Sequence, residues 1–276
     1  REAVEPVRPH VLDSVPDLRP IDREILRLAV PALGALAAEP LYILVDTAVV
    51  GHLGTPPLGG LAIAGTVLTT AFFLFNFLAY GTTAAVARLI GAKDERTAAH
   101  QAVQGVWLAV AIGLVLLVVG VVWAPAAVGV FGSTPAVRAN AEVYLRVSAL
   151  GAPAVLLALV GVGYLRGLQD TKRTLAVAVG SNLLNLALEL VLIYGLGMGI
   201  AASAAATVVA QWCAAGAYVF VVLRNVQVAG VGLRPEVSWA RLAGSFAIIG
   251  SLTAVARADG LRVLELFKRG ALNSDF

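Results

Sequence analysis

The chain has 276 residues, of which 59% are hydrophobic and only 13% charged, about half the charge of an ordinary soluble domain. That balance excludes a soluble globular fold and a disordered chain. The net charge of +3 is dispersed at the ends of apolar runs, which speaks against a nucleic-acid patch.

Residues 1–20 mix prolines, acids and arginines and read as a cytoplasmic arm; they have no apolar centre and are not a signal peptide. Six apolar runs follow, near 22–50, 58–88, 98–124, 136–165, 174–195 and 199–223. Runs of this length cross a bilayer as helices, because a helix satisfies its own backbone groups where no water can. A transmembrane barrel would need strict alternation, and "LAVAIGLVLLVVGVVWA" has none. Turn signals separate the runs: "GHLGTPP", "GAKDER", "FGSTP", "RGLQDTKR", "GLGMG" and "RNVQVAG". The predicted fold is therefore an all-α membrane protein, a six-transmembrane-helix bundle over 21–224. A linker, a partial seventh segment and a short C-terminal tail occupy 225–276. In that region "RLAGSFAIIGSLTAVARADG" offers about 15 apolar residues, short of the roughly 20 a crossing needs.

Basic residues set the expected orientation. Arg1, Arg8, Arg19, Arg23 and Arg27, then Arg88, Lys93 and Arg96, Arg166, Lys172 and Arg173, and Arg224, Arg234 and Arg241 all fall on one side. The opposite connections carry none. The expectation is a multi-pass protein of the inner (plasma) membrane with a cytoplasmic N-terminus.

Charges inside the spans are the candidate functional residues, since a carboxylate at the centre of a spanning helix costs about 2.5–3.5 kcal/mol. Asp46 lies five residues before Gly51, about 8 Å from the end of the first helix at 1.5 Å per residue. Glu39 is two turns earlier on nearly the same face, and Pro31 and Pro40 each remove a backbone donor and should bend the span. On the fifth span Asn182, Asn185 and Glu189 fall at i, i+3 and i+7, one polar stripe. The first and fifth spans run parallel, so Asp46 and Glu189 are expected at one depth, where two acids in low dielectric would share a proton. Asparagine oxygens could instead help hold a sodium ion. The bland alternatives are an acid that snorkels to the headgroups and asparagines that only join helices.

Asn76 and Gln104 read as helix bridges or cavity residues. Tyr144 and Arg146 on the fourth span read as interface anchors or ligand contacts, and Thr207 reaches about midway along the sixth. The glycines of "GVGYLRG" have the wrong spacing for a dinucleotide site. One cysteine, Cys213, excludes an intrachain disulfide, and His10, His52 and His100 form no ligand cluster, so no metal site is expected. No serine, cysteine or histidine arrangement suggests nucleophilic catalysis, and no enzyme is expected.

Three stretches resemble one family. "LAVPALGALAAEPLYILVDTAVVGHLG" is similar to the first helix of multidrug and toxic compound extrusion (MATE) transporters, especially the DNA-damage-inducible F (DinF-like) branch. "YLRGLQDTKRTL" resembles its connection after the fourth helix, and "NLALELVLIYGLGMGIAASAAATVVAQ" its fifth and sixth helices. The resemblance spans roughly residues 21–240. It implies one lobe of a twelve-helix fold whose two lobes face each other across a cavity. It also implies export of small drug-like cations or amphipathic compounds against inward proton or sodium flow, with no cofactor besides that ion. By the same resemblance Asp46, Asn185, Glu189 and Thr207 are the cation-coupling residues, Pro31 the hinge proline, and Tyr144 part of the polar cluster. Two departures stand out. The fifth-helix acid is usually aspartate, and a partner six-helix lobe is missing after residue 240. Competing expectations are a lipid-linked or polymer flippase of the related superfamily, which basic cavity residues would favour, and a non-transporting half-transporter or membrane scaffold.

Overall fold

A computed structural model describes residues 19–234; the arm before them and the partial seventh segment and tail after them lie outside the described residues. The described chain is helical: α1 Arg19–Gly51, α2 Thr55–Phe73, α3 Phe77–Gly91, α4 Glu95–Gly129, α5 Pro135–Ala149, α6 Ala152–Gly167, α7 Thr171–Leu190 and α8 Ile200–Val228. A π-helical turn, Val191–Gly195, extends α7. Five spans are long and apolar enough to cross a membrane, and α5 with α6 makes a sixth bent by 53°. The predicted bundle is thus observed, with three interruptions that the apolar pattern did not disclose. Span two breaks into α2 and α3 at Leu74–Asn76, span four bends between α5 and α6, and span five ends in the π turn.

The side chains are arranged as a lipid solvent demands. Large apolar groups point outward along whole helices: Leu33, Leu41 and Leu44 on α1, Val115, Val118 and Val122 on α4, Phe220 on α8. The interior is built instead from small residues that let backbones approach, with Ala202, Ser203, Ala204 and Ala206 buried along α8. α6 is central. It packs on α3, α4 and α8, and Ala154, Leu156, Val160 and Leu165 are fully or almost fully enclosed. α2 packs on α5 so closely that a Cβ on Gly60 would stand 2.7 Å from the Asn140 Cβ and 2.9 Å from the Ala141 nitrogen.

One end of the bundle carries the basic residues, and its two turns share a device. Lys93 and Gln169 each take a left-handed φ, 59° and 60°. The Asp94 amide donates back to the Leu89 carbonyl at 2.9 Å and the Asp170 amide to that of Leu165 at 2.8 Å. The same aspartates cap the next helix, accepting from the Thr97 and Arg173 amides at 3.0 and 3.1 Å. Every turn of this kind reverses the chain within three residues and keeps successive spans antiparallel. α1 stands at the flank, continuous through Pro31 and Pro40, and packs chiefly on α7. That pairing sets the first and fifth spans side by side.

Candidate functional site

α1, α7 and α8 each bring a polar stripe to one place near the end opposite the basic turns. On α1, Tyr42, Asp46, Val49 and Val50 follow helical spacing and turn inward while Leu41, Ile43, Leu44 and Val45 remain exposed. On α7 the stripe is Asn182, Asn185 and Glu189; on α8 it is Ser203 and Thr207. Asp46, Asn185, Glu189 and Ser203 are 6%, 2%, 0% and 0% exposed, a dense group of polar side chains among described residues whose buried set is mostly apolar.

The hydrogen bonds run through the hydroxyls. Ser203 Oγ donates to Asp46 Oδ1 at 3.1 Å. Thr207 Oγ1 donates to the Ser203 carbonyl at 3.0 Å and accepts from Asn185 Nδ2 at 3.0 Å. With the threonine proton committed, the Tyr42 hydroxyl is the donor in its 3.0 Å contact with Thr207 Oγ1. The buried Tyr144 ring brings its hydroxyl to Ser203 and Thr207. Asn182 takes a different part: its Nδ2 donates to the Ala38 carbonyl at 3.0 Å and ties α7 to α1 two residues before Pro40.

Glu189 is the exception. Its carboxyl lies close to that of Asp46 and to Ser203. The one Ser203 proton already goes to Asp46, and neither Glu189 oxygen receives a hydrogen bond from the described residues. Asn185 Oδ1 is also without a donor. A carboxyl enclosed in this way destabilises the fold unless something positive joins it. Glu189 is followed at once by the π turn, where the Leu196 amide reaches the Val191 carbonyl and the Met198 amide that of Leu192, both at 3.0 Å. Such turns are frequent at functional sites.

Beside this cluster lies a cavity of about 270 Å³. Tyr42, Asn182, Asn185 and Thr207 form its polar wall, and α6 with α8 supplies an apolar floor that includes Val155, Leu159 and Ala210. Among the described residues its lining contains no acidic or basic side chain, and Asp46 and Glu189 are not part of it.

The structure thus gathers Asp46, Glu189, Asn185, Thr207 and Tyr144 and places Asn182 at the cavity edge. Pro31 lies in α1, 15 residues before Asp46 and away from the cluster; the Glu39 side chain lies outside the described residues. Arg146 pairs loosely with Glu142 at 4.0 Å and does not line the cavity, and Gln104 bonds the Arg234 carbonyl at 3.1 Å. Sequence reasoning missed Tyr42 and Ser203. Their signal was available, since each stands four residues before a chosen residue, Asp46 and Thr207, and so on the same helical face. Among the described residues no group of three or more histidine, cysteine, aspartate or glutamate side chains could hold a metal ion.

The MatE family profile matches residues 31–191, more than half of the chain. The chain belongs to the MatE family. It is 35% identical over 192 residues to DNA damage-inducible protein F of Escherichia coli (strain K12), covering 69% of this chain and 42% of that protein. It is 26% identical over 218 residues to the probable multidrug resistance protein NorM of Thermotoga maritima, covering 77% and 46%. A structure described as the outward-facing conformation of a multidrug resistance MATE family transporter of the MOP superfamily aligns with a TM-score of 0.74 at 26% identity, over 82% of this chain and 50% of that one. The chain spans under half the length of these two curated relatives. It is a multi-pass membrane protein of a transporter family, and the DinF-like resemblance read from the sequence is borne out.

Proposed function

We propose that this chain forms the six-helix half of a cation-coupled multidrug exporter, with protons as the coupling ion. The observation that carries the reading is the enclosed Asp46–Glu189 pair with no donor on Glu189. A proton between the two carboxyls supplies the missing donor and removes the buried charge in one step. Two features favour a proton over sodium. Both acceptor positions of Thr207 Oγ1 are already taken, by Tyr42 and by Asn185, so this hydroxyl has no lone pair left for a hard cation. Glu189, one methylene longer than aspartate, keeps acid chemistry while altering the close oxygen geometry a sodium ion needs.

In the proposed cycle the unprotonated pair draws a cationic or amphipathic compound towards the adjoining cavity. Proton entry from outside neutralises the pair, loosens α1 from α7 and α8, and weakens the hold on cargo; α1 yields near Pro31. Coupling requires different cargo affinity in the two states, and loss of charge beside the cavity provides it. Among the described residues the lining offers no basic side chain to the anionic headgroup of a lipid-linked cargo, and the flippase alternative would need one. The basic end is taken as cytoplasmic, which puts the pair towards the outer leaflet.

The test uses the complete transporter containing this half, reconstituted in liposomes, with a proton or a sodium gradient imposed separately. Dye efflux should follow the proton gradient alone and fall to background in Asp46→Asn. Undiminished transport by that variant refutes the coupling role, and sodium-driven transport refutes the choice of ion.

A further inference from the structure

Among the polar side chains that line the cavity away from the acid pair, Gln211 has an enclosed oxygen with no donor. Gln211 lies on α8 one turn beyond Thr207 and lines the cavity wall nearest the break between α5 and α6. Its Oε1 is enclosed and receives no hydrogen bond from the described residues. That oxygen fills the space Gly151 leaves in the broken turn, where a Cβ would collide with it; the Ser148 carbonyl lies 3.2 Å from the same point. No donor among the described residues meets Oε1, and the Ser148 carbonyl already accepts from the Gly151 amide at 2.9 Å. The two ends of a carboxamide have the same shape, and the hydrogen-bond network decides which is which. With the carboxamide reversed, its NH2 meets the second lone pair of the Ser148 carbonyl and its oxygen takes the other end, on the side of the cavity that Gln211 lines. The next residue reinforces the arrangement: Trp212 Nε1 donates to the Leu150 carbonyl at 3.1 Å, so α8 holds the opened turn with consecutive side chains.

The rest of that side of the cavity is apolar, from Val155, Leu159 and Val162 on α6 to Ala210 and Ala214 on α8. We propose that Gln211 is the specificity-determining residue of this cavity. Its amide oxygen accepts a hydrogen bond from an N–H or O–H group on an aromatic or amphipathic ligand whose apolar body rests on α6 and α8. An apolar pocket of about 150 Å³ already accommodates benzene, so 270 Å³ has room for a ring system. A buried acceptor left unmet penalises any ligand without a donor, which is how such a site discriminates. The acids supply attraction for positive charge, and Gln211 sorts among the compounds so attracted. This inference rests on the cavity being the cargo site.

The experiment measures equilibrium binding to the purified full chain in detergent with two lipophilic monocations. Ethidium carries aromatic amine donors; tetraphenylphosphonium has none. Both should bind the unaltered chain, and Ala158→Phe, which fills the cavity, should abolish both. Gln211→Met should weaken ethidium about tenfold and leave tetraphenylphosphonium unchanged. The retained tetraphenylphosphonium binding reports that the variant is folded, and Gln211→Leu serves as the second apolar replacement. If ethidium and tetraphenylphosphonium respond alike to both replacements, or neither responds, while Ala158→Phe still blocks them, the Gln211 assignment is overturned and the cargo cavity survives. If neither compound binds, or Ala158→Phe changes nothing, the cavity reading falls and Gln211 with it.

Discussion

The two aspartates at the basic turns and the two acids near the opposite end are the same chemistry put to different use. Asp94 and Asp170 sit at helix starts in reach of water, and each accepts an amide hydrogen bond from the helix it caps. Asp170 also meets Arg173 at 3.2 Å. Asp46 and Glu189 lie in helix interiors, and between them they receive one hydroxyl hydrogen bond. A carboxylate that is satisfied contributes to the fold; one that is enclosed and unsatisfied works against it and persists where function requires it. On the proposed function, the first pair is scaffold and the second is machinery.

The largest expected effect breaks that symmetry directly. In the complete transporter, Glu189→Gln should reduce gradient-driven efflux to background, because a neutral amide cannot take up and release a proton. Asp170→Asn and Asp94→Asn retain a capping oxygen and should leave efflux near its original rate. Comparable losses at both ends would show that the acids act through folding alone.

Stability should respond in the opposite sense. Replacing the pair together, Asp46→Leu with Glu189→Met, removes two buried polar groups at similar volume and should be neutral or stabilising by about 1 kcal/mol or more. Asp170→Ala loses a cap and should cost about 1 kcal/mol. Thermal unfolding of the chain in one detergent compares them; a large loss of stability in the double variant would mean that the pair supports the fold after all.

How much of this was legible in the sequence depends on which force fixes each feature. The spans were visible because lipid imposes a composition on every segment that crosses it, and Asp46 and Glu189 stood out because that composition forbids them. Their shared depth followed from helix rise and chain direction. The bend at Leu150–Gly151 and the break at Leu74–Asn76 were not visible in the apolar run, which continues through both, although Pro153, with no amide to bond the Ala149 carbonyl, marks the bend in the sequence itself. α8 holds the opened turn through the Trp212 donor to Leu150 and the Gln211 side chain above Gly151. The π turn after Glu189 was equally hidden, since "VLIYG" reads as an ordinary helix end. Tyr42 and Ser203 were overlooked for a different reason: tyrosine and serine are common in spans, and only their register with Asp46 and Thr207 marks them.

The smallest effect concerns pH at the basic end, and its sign can be worked through for Asp94. The Thr97 amide donates to its carboxylate and holds the pKa below the ordinary aspartate value. The folded state therefore binds this proton less readily than the unfolded chain does. The cap's contribution is present in full above the unfolded value, near 3.9, and fades as pH falls through the lower folded one. A titration of thermal stability from pH 6 to 3 should decline slightly less steeply in Asp94→Asn than in the unaltered chain, because asparagine caps equally at every pH. The side chain is in full contact with water, so the difference should also shrink as salt is added. An unchanged slope would remove Asp94 from the groups that anchor the basic turn.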